Sequence, residues 1–239
     1  MIYLLQVYSE KNLVILSLGI KMIANSCAVS VYVMLANKFV FLHPVRCVLS
    51  GPSGSGKTEF IKKVIAHKKE LFSTEPKRVV FAYKYPEEWF HQFPMTEFVD
   101  KVPKAVEFRE PTIIVIDDLI CDLDALKDCV HLFVRGSRHA DTSVFFITQN
   151  LFAPFAPFRT ILLNTNLFVL FQTLIGVDQI EHLGRRIFGK SKRKYFEEAY
   201  KDAASKEFSY LLVDLHPSQQ YRLRTNIFPD ETEVVYIPE

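Results

Sequence analysis

The chain has 239 residues, of which 49% are hydrophobic and 23% charged. This balance is typical of a globular protein and excludes a disordered one, and the length allows one large domain or one domain with appendages. The formal net charge is only +2, so a nucleic-acid interface would have to be a local patch rather than a global positive field. The cysteines show no CxxC or Cys/His ligand spacing, and we interpret them as reduced, packed thiols of an intracellular protein: Cys27, Cys47, Cys121 and Cys129.

The first forty residues form an apolar segment that we treat separately from a domain over residues 41–239. Residues 13–35, "LVILSLGIKMIANSCAVSVYVML", are long enough to span a bilayer. Lys21 would cost about 3 kcal/mol at the centre of a membrane helix, and Asn25 adds to that cost. The start "MIYLLQVY" lacks the basic region of a secretory signal. Three interpretations stay open: a packed helix or strand extension, a membrane segment, or a mispredicted translation start.

A phosphate-binding loop follows the first strand of the main domain. The stretch "RCVLSGPSGSGKTEFIKKVIAHKK" contains an apolar strand, a glycine-rich turn and a helix, and it completes the pattern G-x-x-x-x-G-K-[ST]. The glycines let backbone N–H groups point at phosphate oxygens, and the helix dipole adds to the attraction. Lys57 is expected to reach the β- and γ-phosphates of ATP, and the Thr58 hydroxyl to bind Mg²⁺. The remaining residues predicted to bind the nucleotide belong to the same loop: Gly51, Ser53, Gly54, Ser55 and Gly56.

A pair of acidic residues ends a later buried strand. "RVVFAY" predicts the second strand and "TIIVIDDL" the third, which ends in Asp117 and Asp118. Asp117 can position Mg²⁺, and an adjacent acid such as Asp118 can polarise the attacking water. Taken alone, an Asp-Asp pair after a strand is often a helix N-terminus. Together with the loop at Gly51 it predicts a nucleotide hydrolase.

The rest of the chain continues the alternation of helices and strands. A helix is predicted from Leu123 to Arg138, "TSVFFITQ" and "NLFVLFQ" predict the fourth and fifth strands, and "YLLVDL", "YRLRTNIF" and "EVVYIP" predict short strands at one edge. This order indicates an α/β fold with a parallel sheet and right-handed crossovers. A cluster of cations without an acid precedes the last strands, and we interpret it as a solvated helix face or as a contact for a DNA backbone: Arg185, Arg186, Lys190, Lys192, Arg193 and Lys194.

These motifs together resemble the viral genome-packaging ATPases of the FtsK–HerA superfamily. The resemblance rests on "HPVRCVLSGPSGSGKT", "VIDDLI", "GSRHADTSVFFITQNLF", "FRTILLNTN" and the closing strands, and it covers roughly residues 40 to 237. The most similar relatives are the poxvirus-type packaging proteins and those of Polinton/Maverick elements and adintoviruses. The resemblance implies an additional-strand (ASCE) P-loop core, with the fourth strand between the first and the third.

The resemblance also implies partners and residue roles. It implies a homo-oligomeric ring that moves double-stranded DNA into a capsid, in the host nucleus or cytoplasm or with the virion, with ATP and Mg²⁺ as cofactors. Asp118 takes the position of the base, and Gln149, at the tip of the fourth strand, that of the sensor of the γ-phosphate. Without the resemblance, Gln149 would be an ordinary turn residue at a strand end.

One departure concerns the arginine that relatives carry after the fifth strand. Here Ile175 stands at that position, so Arg135, Arg138 or Arg159 would have to supply the charge. We expect Arg138 to act in trans on the γ-phosphate of a neighbouring subunit, since it precedes the fourth strand and so lies at the opposite end from Gln149. The alternatives for Arg138 are an ion pair with Asp141 or a helix C-terminal charge.

Two other functions remain as alternatives to an ATP-driven DNA motor. The first is a P-loop protein that binds nucleotide and has lost hydrolysis, which Ile175 motivates. The second is a nucleoside or nucleotide kinase, because "RRIFGKSKRK" could serve as an arginine-rich lid. A kinase does not need an Asp-Asp pair followed by a glutamine-tipped strand.

Overall fold

A computed structural model of the chain describes residues 2–7, 15–22, 29–34, 38–104, 109–117, 123–136 and 141–238. Its strands belong to one sheet in the order β1-β2-β3-β12-β11-β10-β9-β4-β8-β7-β5-β6. Their bounds are β1 Ile2–Val7, β2 Ile15–Met22, β3 Val29–Met34, β4 Arg46–Ser50, β5 Arg78–Ala82, β6 Glu97–Val99, β7 Thr112–Asp117, β8 Thr142–Thr148, β9 Leu167–Phe171, β10 Tyr210–Asp214, β11 Leu223–Thr225 and β12 Val234–Pro238.

Six neighbouring strands of the sheet run parallel and form the core of the domain, in the order β9-β4-β8-β7-β5-β6. β8, the predicted fourth strand, lies between β4 and β7, which are the predicted first and third strands. The additional-strand arrangement is therefore confirmed. The carboxyl ends of all six strands lie at one edge of the sheet, where α/β proteins bind their ligands.

The direction of the strands reverses beyond β9. β10 is antiparallel to β9, and β11 and β12 continue the antiparallel half. β11 is shorter than the predicted "YRLRTNIF" because Asn226 adopts a left-handed backbone (φ 55°) directly after it. β12 pairs in turn with β3, so the strands of the N-terminal segment extend this half.

The helices connect the strands and cover the sheet. Their bounds are α1 Lys57–Ala66, α2 Lys68–Leu71, α3 Leu123–His131, α4 Ala156–Asn164, α5 Val177–Phe188 and α6 Arg193–Ala203. The helix predicted over 123–138 is α3 followed by a wider π-helical turn, Leu132–Gly136. None of the helices in the described ranges has the length and apolarity needed to cross a bilayer. Two of the strands, β2 and β3, lie in the segment 13–35.

Two hydrophobic cores lie on opposite faces of the sheet. Successive residues of a strand point to opposite faces, so β8 sends Phe146 to one core and Phe145 to the other. The core with Phe146 lies under α3 to α6, and the core with Phe145 lies under α1 and an aromatic group around Trp89. Burial on both faces explains why the parallel strands read as continuous apolar runs in the sequence.

Candidate functional site

The loop between β4 and α1 starts at Gly51 and ends where Lys57 begins the helix. Gly54 (φ 74°) and Gly56 (φ 102°) adopt left-handed backbone conformations that other residues reach only with strain. These two residues allow the chain to curl tightly before the helix starts. The N-terminus of α1 therefore faces the space enclosed by the loop, which is an arrangement suited to phosphate.

Lys57 crosses this loop from the helix side. Its side chain is buried, and Nζ donates hydrogen bonds to the carbonyl oxygens of Gly51 (2.7 Å) and Pro52 (2.6 Å). The amide of Gly51 in turn donates to the carbonyl of Thr148 at the end of β8 (3.3 Å). The loop is thus fixed to the neighbouring strand, and its lysine is held close to the loop backbone.

A cavity of about 300 Å³ opens beside the loop at the carboxyl edge of the sheet. Its lining brings together residues from α1, β7 and β8 that are far apart in the sequence. Thr58 and Asp117 supply a hydroxyl and a carboxylate, which are the hard oxygen donors that Mg²⁺ prefers, so these residues fit the ion. Of the residues predicted from the sequence, the following line the cavity: Ser53, Gly54, Lys57, Thr58, Asp117 and Gln149. Asp118, the predicted base, lies outside the described residues.

The segment after β5 adds side chains that the sequence motifs did not indicate. Lys84, Tyr85 and Glu87 line the same cavity. The indole Nε1 of the buried Trp89 donates a hydrogen bond to Glu87 Oε2 (3.0 Å) and fixes that carboxylate. The sequence could have indicated these three residues by their position directly after a parallel strand, because every segment that follows such a strand starts at the ligand-binding edge.

The candidate arginines are not gathered at this cavity. Arg138 lies outside the described residues. Arg135 is exposed in the turn after α3, and Arg46, the first residue of β4, donates to the carbonyl of Phe133 in that turn (3.5 Å). The turn therefore lies at the amino ends of the strands. Arg159 is exposed on α4.

Asp141, the possible ion-pair partner of Arg138, contacts His43. His43 Nε2 lies 3.1 Å from the carboxylate of Asp141 and 3.0 Å from its carbonyl oxygen. Ile175, the position at which the sequence resemblance predicts an arginine, lies in the loop after β9 and is 97% exposed.

The basic cluster lies at the end of α5 and the start of α6. Arg193 forms ion pairs with Glu181 (2.9 Å) and Glu197, and Lys194 lies 3.7 Å from Glu198. Two of the six predicted contacts for DNA are therefore already paired with acids. The other four are exposed and form no ion pair within the described part of the chain: Arg185, Arg186, Lys190 and Lys192.

Comparison with known proteins identifies the class of fold. No protein-family model matches the sequence, and no curated protein matches it. The structure is similar to the genome packaging NTPase B204 from Sulfolobus turreted icosahedral virus 2 in complex with sulfate, with a TM-score of 0.50 and 14% identity, over 79% of this chain and 96% of that chain.

A bacterial structure is also similar to this chain. It is the cytoplasmic domain of the Thermomonospora curvata Type VII secretion ATPase EccC, with a TM-score of 0.49 and 13% identity, over 80% of this chain and 25% of that chain. The fold of the chain, with its parallel sheet, flanking helices and loop between β4 and α1, is that of an α/β P-loop NTPase.

Proposed function

We propose that this chain is an ATP-hydrolysing double-stranded DNA translocase that packages a viral or virus-like transposon genome. The observation that carries the proposal is the cavity in which Lys57, Thr58, Asp117 and Gln149 meet at the carboxyl edge of the sheet. A phosphate loop alone would serve any nucleotide-binding protein. The additional strand β8, with Gln149 at its tip beside Asp117, is the arrangement expected of a motor ATPase rather than a kinase.

Each residue has a defined role in the proposed reaction. Lys57 neutralises charge on the β- and γ-phosphates, and the N-terminus of α1 supports the same charge. Thr58 and Asp117 would hold Mg²⁺, which would supply positive charge to stabilise the phosphates. Gln149 reports the γ-phosphate, and Asp118, by its position in the sequence, polarises the attacking water.

The genome-packaging part of the proposal rests on the sequence resemblance and on a fold similar to that of a packaging NTPase. It includes a homo-oligomeric ring, contacts with capsid proteins, and Arg138 acting on a neighbouring subunit. The exposed cations Arg185, Arg186, Lys190 and Lys192 would contact the DNA backbone. Ile175, which replaces the arginine of relatives, favours the second candidate, a protein that binds ATP without hydrolysing it.

The deciding experiment measures ATP hydrolysis by the purified full chain with and without linear duplex DNA. We expect Mg²⁺-dependent hydrolysis that duplex DNA stimulates. Lys57→Ala should reduce hydrolysis by about 100-fold, because a preorganised charge at the phosphates is removed. The control is Lys69→Ala, an exposed lysine on α2 that lies outside the cavity and should leave hydrolysis unchanged.

Three other outcomes would contradict the proposal in different ways. Binding of ATP without hydrolysis would favour the second candidate. A rate of hydrolysis that duplex DNA does not change would support an ATPase and contradict the role as a DNA translocase. Equal activity of Lys57→Ala and wild type would show that the cavity is not the site of hydrolysis.

A further inference from the structure

A second cavity, of about 480 Å³, lies on the other flank of the phosphate loop. Its walls come from the loop tip, from the segment after β9 and from the turn before β10. Ser53 and Gly54 line both this cavity and the first one. A molecule with phosphate groups in the first cavity can therefore extend its other end across the loop tip into the second.

The mouth of this second cavity is unusually apolar. Leu174 is 87% exposed, Ile175 97% and Phe208 62%, and all three line it. Single apolar side chains on a surface are ordinary, but three large ones gathered around a concavity are typical of a binding site. Polar side chains line the same space: Ser53, Ser55, Gln172, Thr173 and Glu207.

Phe208 is held at this mouth by a strained turn. Its φ of 61° lies in the left-handed region, which is uncommon for a bulky aromatic residue. The turn is closed by the amide of Ser209, which donates to the carbonyl of Lys206 (3.2 Å), and by the Ser209 hydroxyl, which donates to the same oxygen (2.6 Å). Phe208 packs directly on the phosphate loop, since a Cβ at Gly56 would lie 3.1 Å from that of Phe208.

The opposite wall is anchored to the sheet. The amide of Thr173 donates to the hydroxyl of Tyr200 (3.2 Å), which donates to the carbonyl of Phe171 at the end of β9 (2.9 Å). Burial raises the pKa of the Tyr200 phenol, so it remains a neutral donor at physiological pH. Gly176 N donates to Thr173 Oγ1 (3.0 Å) and closes the segment. The cavity thus has two fixed walls.

We infer that this second cavity binds the nucleoside half of the nucleotide and selects a base with an exocyclic amino group. The base packs on the Phe208 ring and against Leu174 and Ile175, since aromatic and apolar surfaces stack well on a nucleobase. The Glu207 carboxylate accepts a hydrogen bond from the amino group, whereas a carbonyl oxygen at the same position of the base cannot donate one. The inference rests on the proposed function, because it places the phosphates in the first cavity.

The test compares equilibrium binding of ATP, inosine triphosphate and inorganic tripolyphosphate to the full chain with Mg²⁺. Wild type should bind ATP more tightly than tripolyphosphate. Phe208→Asn removes the ring while asparagine tolerates the left-handed backbone. This variant should weaken ATP binding by about tenfold to 100-fold and leave tripolyphosphate binding unchanged. Met95→Ser, at an exposed apolar residue outside both cavities, should change neither.

Glu207→Gln tests the selection of the base separately. It should weaken the binding of ATP, whose amino group loses an ionised acceptor, and should not weaken that of inosine triphosphate, because the new amide can donate to the hypoxanthine carbonyl oxygen. Phe208→Asn protein that binds ATP as tightly as wild type would overturn the inference and leave the proposed function in place. A wild-type chain that binds neither ATP nor tripolyphosphate would overturn both.

Discussion

Glu87 approaches the phosphate cavity from a segment that carries no recognised motif. Its Oε2 accepts the N–H of Trp89, whose ring packs edge-on against Phe81, Phe90 and Phe98. A carboxylate positioned by such a rigid aromatic group loses little conformational entropy when it binds a water molecule. In the proposed reaction, Glu87 would therefore help to orient the attacking water.

Exchanging Glu87 for Gln tests this role. The change removes the negative charge and keeps the size of the side chain, so hydrolysis of ATP should fall by about 100-fold while binding of a non-hydrolysable analogue stays within a few-fold. Steady-state kinetics and equilibrium binding give the two quantities. Glu88→Gln is the matched control, because this exposed neighbour does not line the cavity. Equal losses in both variants would assign the effect to charge alone.

The sequence could predict the residues of the phosphate loop because the motif holds them within one turn of the chain. Asp117 could be predicted too, since a buried strand ending in an acid needs no tertiary information. Glu87 and Phe208 could not, because their positions depend on where the segments after β5 and α6 lie in the folded sheet. Asp118 and Arg138 lie outside the described residues, and their roles stay predictions.

The packing of α5 against α6 depends on one glycine. Gly184 is buried in the middle of α5, and a Cβ at this position would lie 2.2 Å from Cδ1 of the fully buried Phe196. Real carbon atoms do not approach that closely. The glycine therefore sets the separation of the two helices, and the basic cluster lies across their connection.

Gly184→Ala separates packing from helix propensity, because the two effects have opposite signs. Alanine favours an isolated helix over glycine by about 1 kcal/mol. Overpacking against Phe196 costs about 1–3 kcal/mol, and we expect it to win because the ring is fully buried. The free energy of unfolding, measured with urea, should fall by up to about 2 kcal/mol, the overpacking cost less the gain in helix propensity. Adding Phe196→Leu should cost less than it does in the wild-type background, and a stabilised Gly184→Ala protein would refute the account.

Element types were more predictable than element ends. The parallel strands are buried on both faces, so their apolar runs were visible in the sequence. The end of β11 was not, since it depends on the backbone of Asn226, and the π-helical turn after α3 has no sequence signature that we recognise. The pairing of β12 with β3 joins the two ends of the chain, and no local pattern predicts such a contact.

At the scale of the whole molecule, the proposed nucleotide and DNA sites lie at opposite edges of the sheet. The nucleotide edge holds the carboxyl ends of the parallel strands. The end of α5 lies beside the other edge, because Phe188 and Lys192 line one cavity with Leu215 and Arg222, which flank the connection from β10 to β11. α5 and α6 run between these two edges and so connect the two proposed sites.

Neutralising the four exposed cations of the basic cluster tests the DNA interface. The variant carries Gln at positions 185, 186, 190 and 192, and its affinity for duplex DNA should fall about equally for all sequences. The slope of log K against log salt concentration should flatten by about 0.9 for each DNA phosphate that the variant no longer neutralises. An unchanged slope would contradict the DNA interface and favour the alternative interpretation of the cluster as a solvated helix face. A control with the same charge change replaces exposed lysines elsewhere: Lys69, Lys101, Lys104 and Lys201.

The reversal of strand direction between β9 and β10 has a consequence for how such a protein can evolve. Because β10 starts beside the end of β9, the turn that carries Phe208 reaches the phosphate loop, whereas the next connection, 215–222, emerges at the other edge. Insertions in the first turn would disturb the nucleotide, and those in the second would not. Lengthening the 215–222 connection could therefore change what this edge of the sheet contacts while the proposed nucleotide site stays intact.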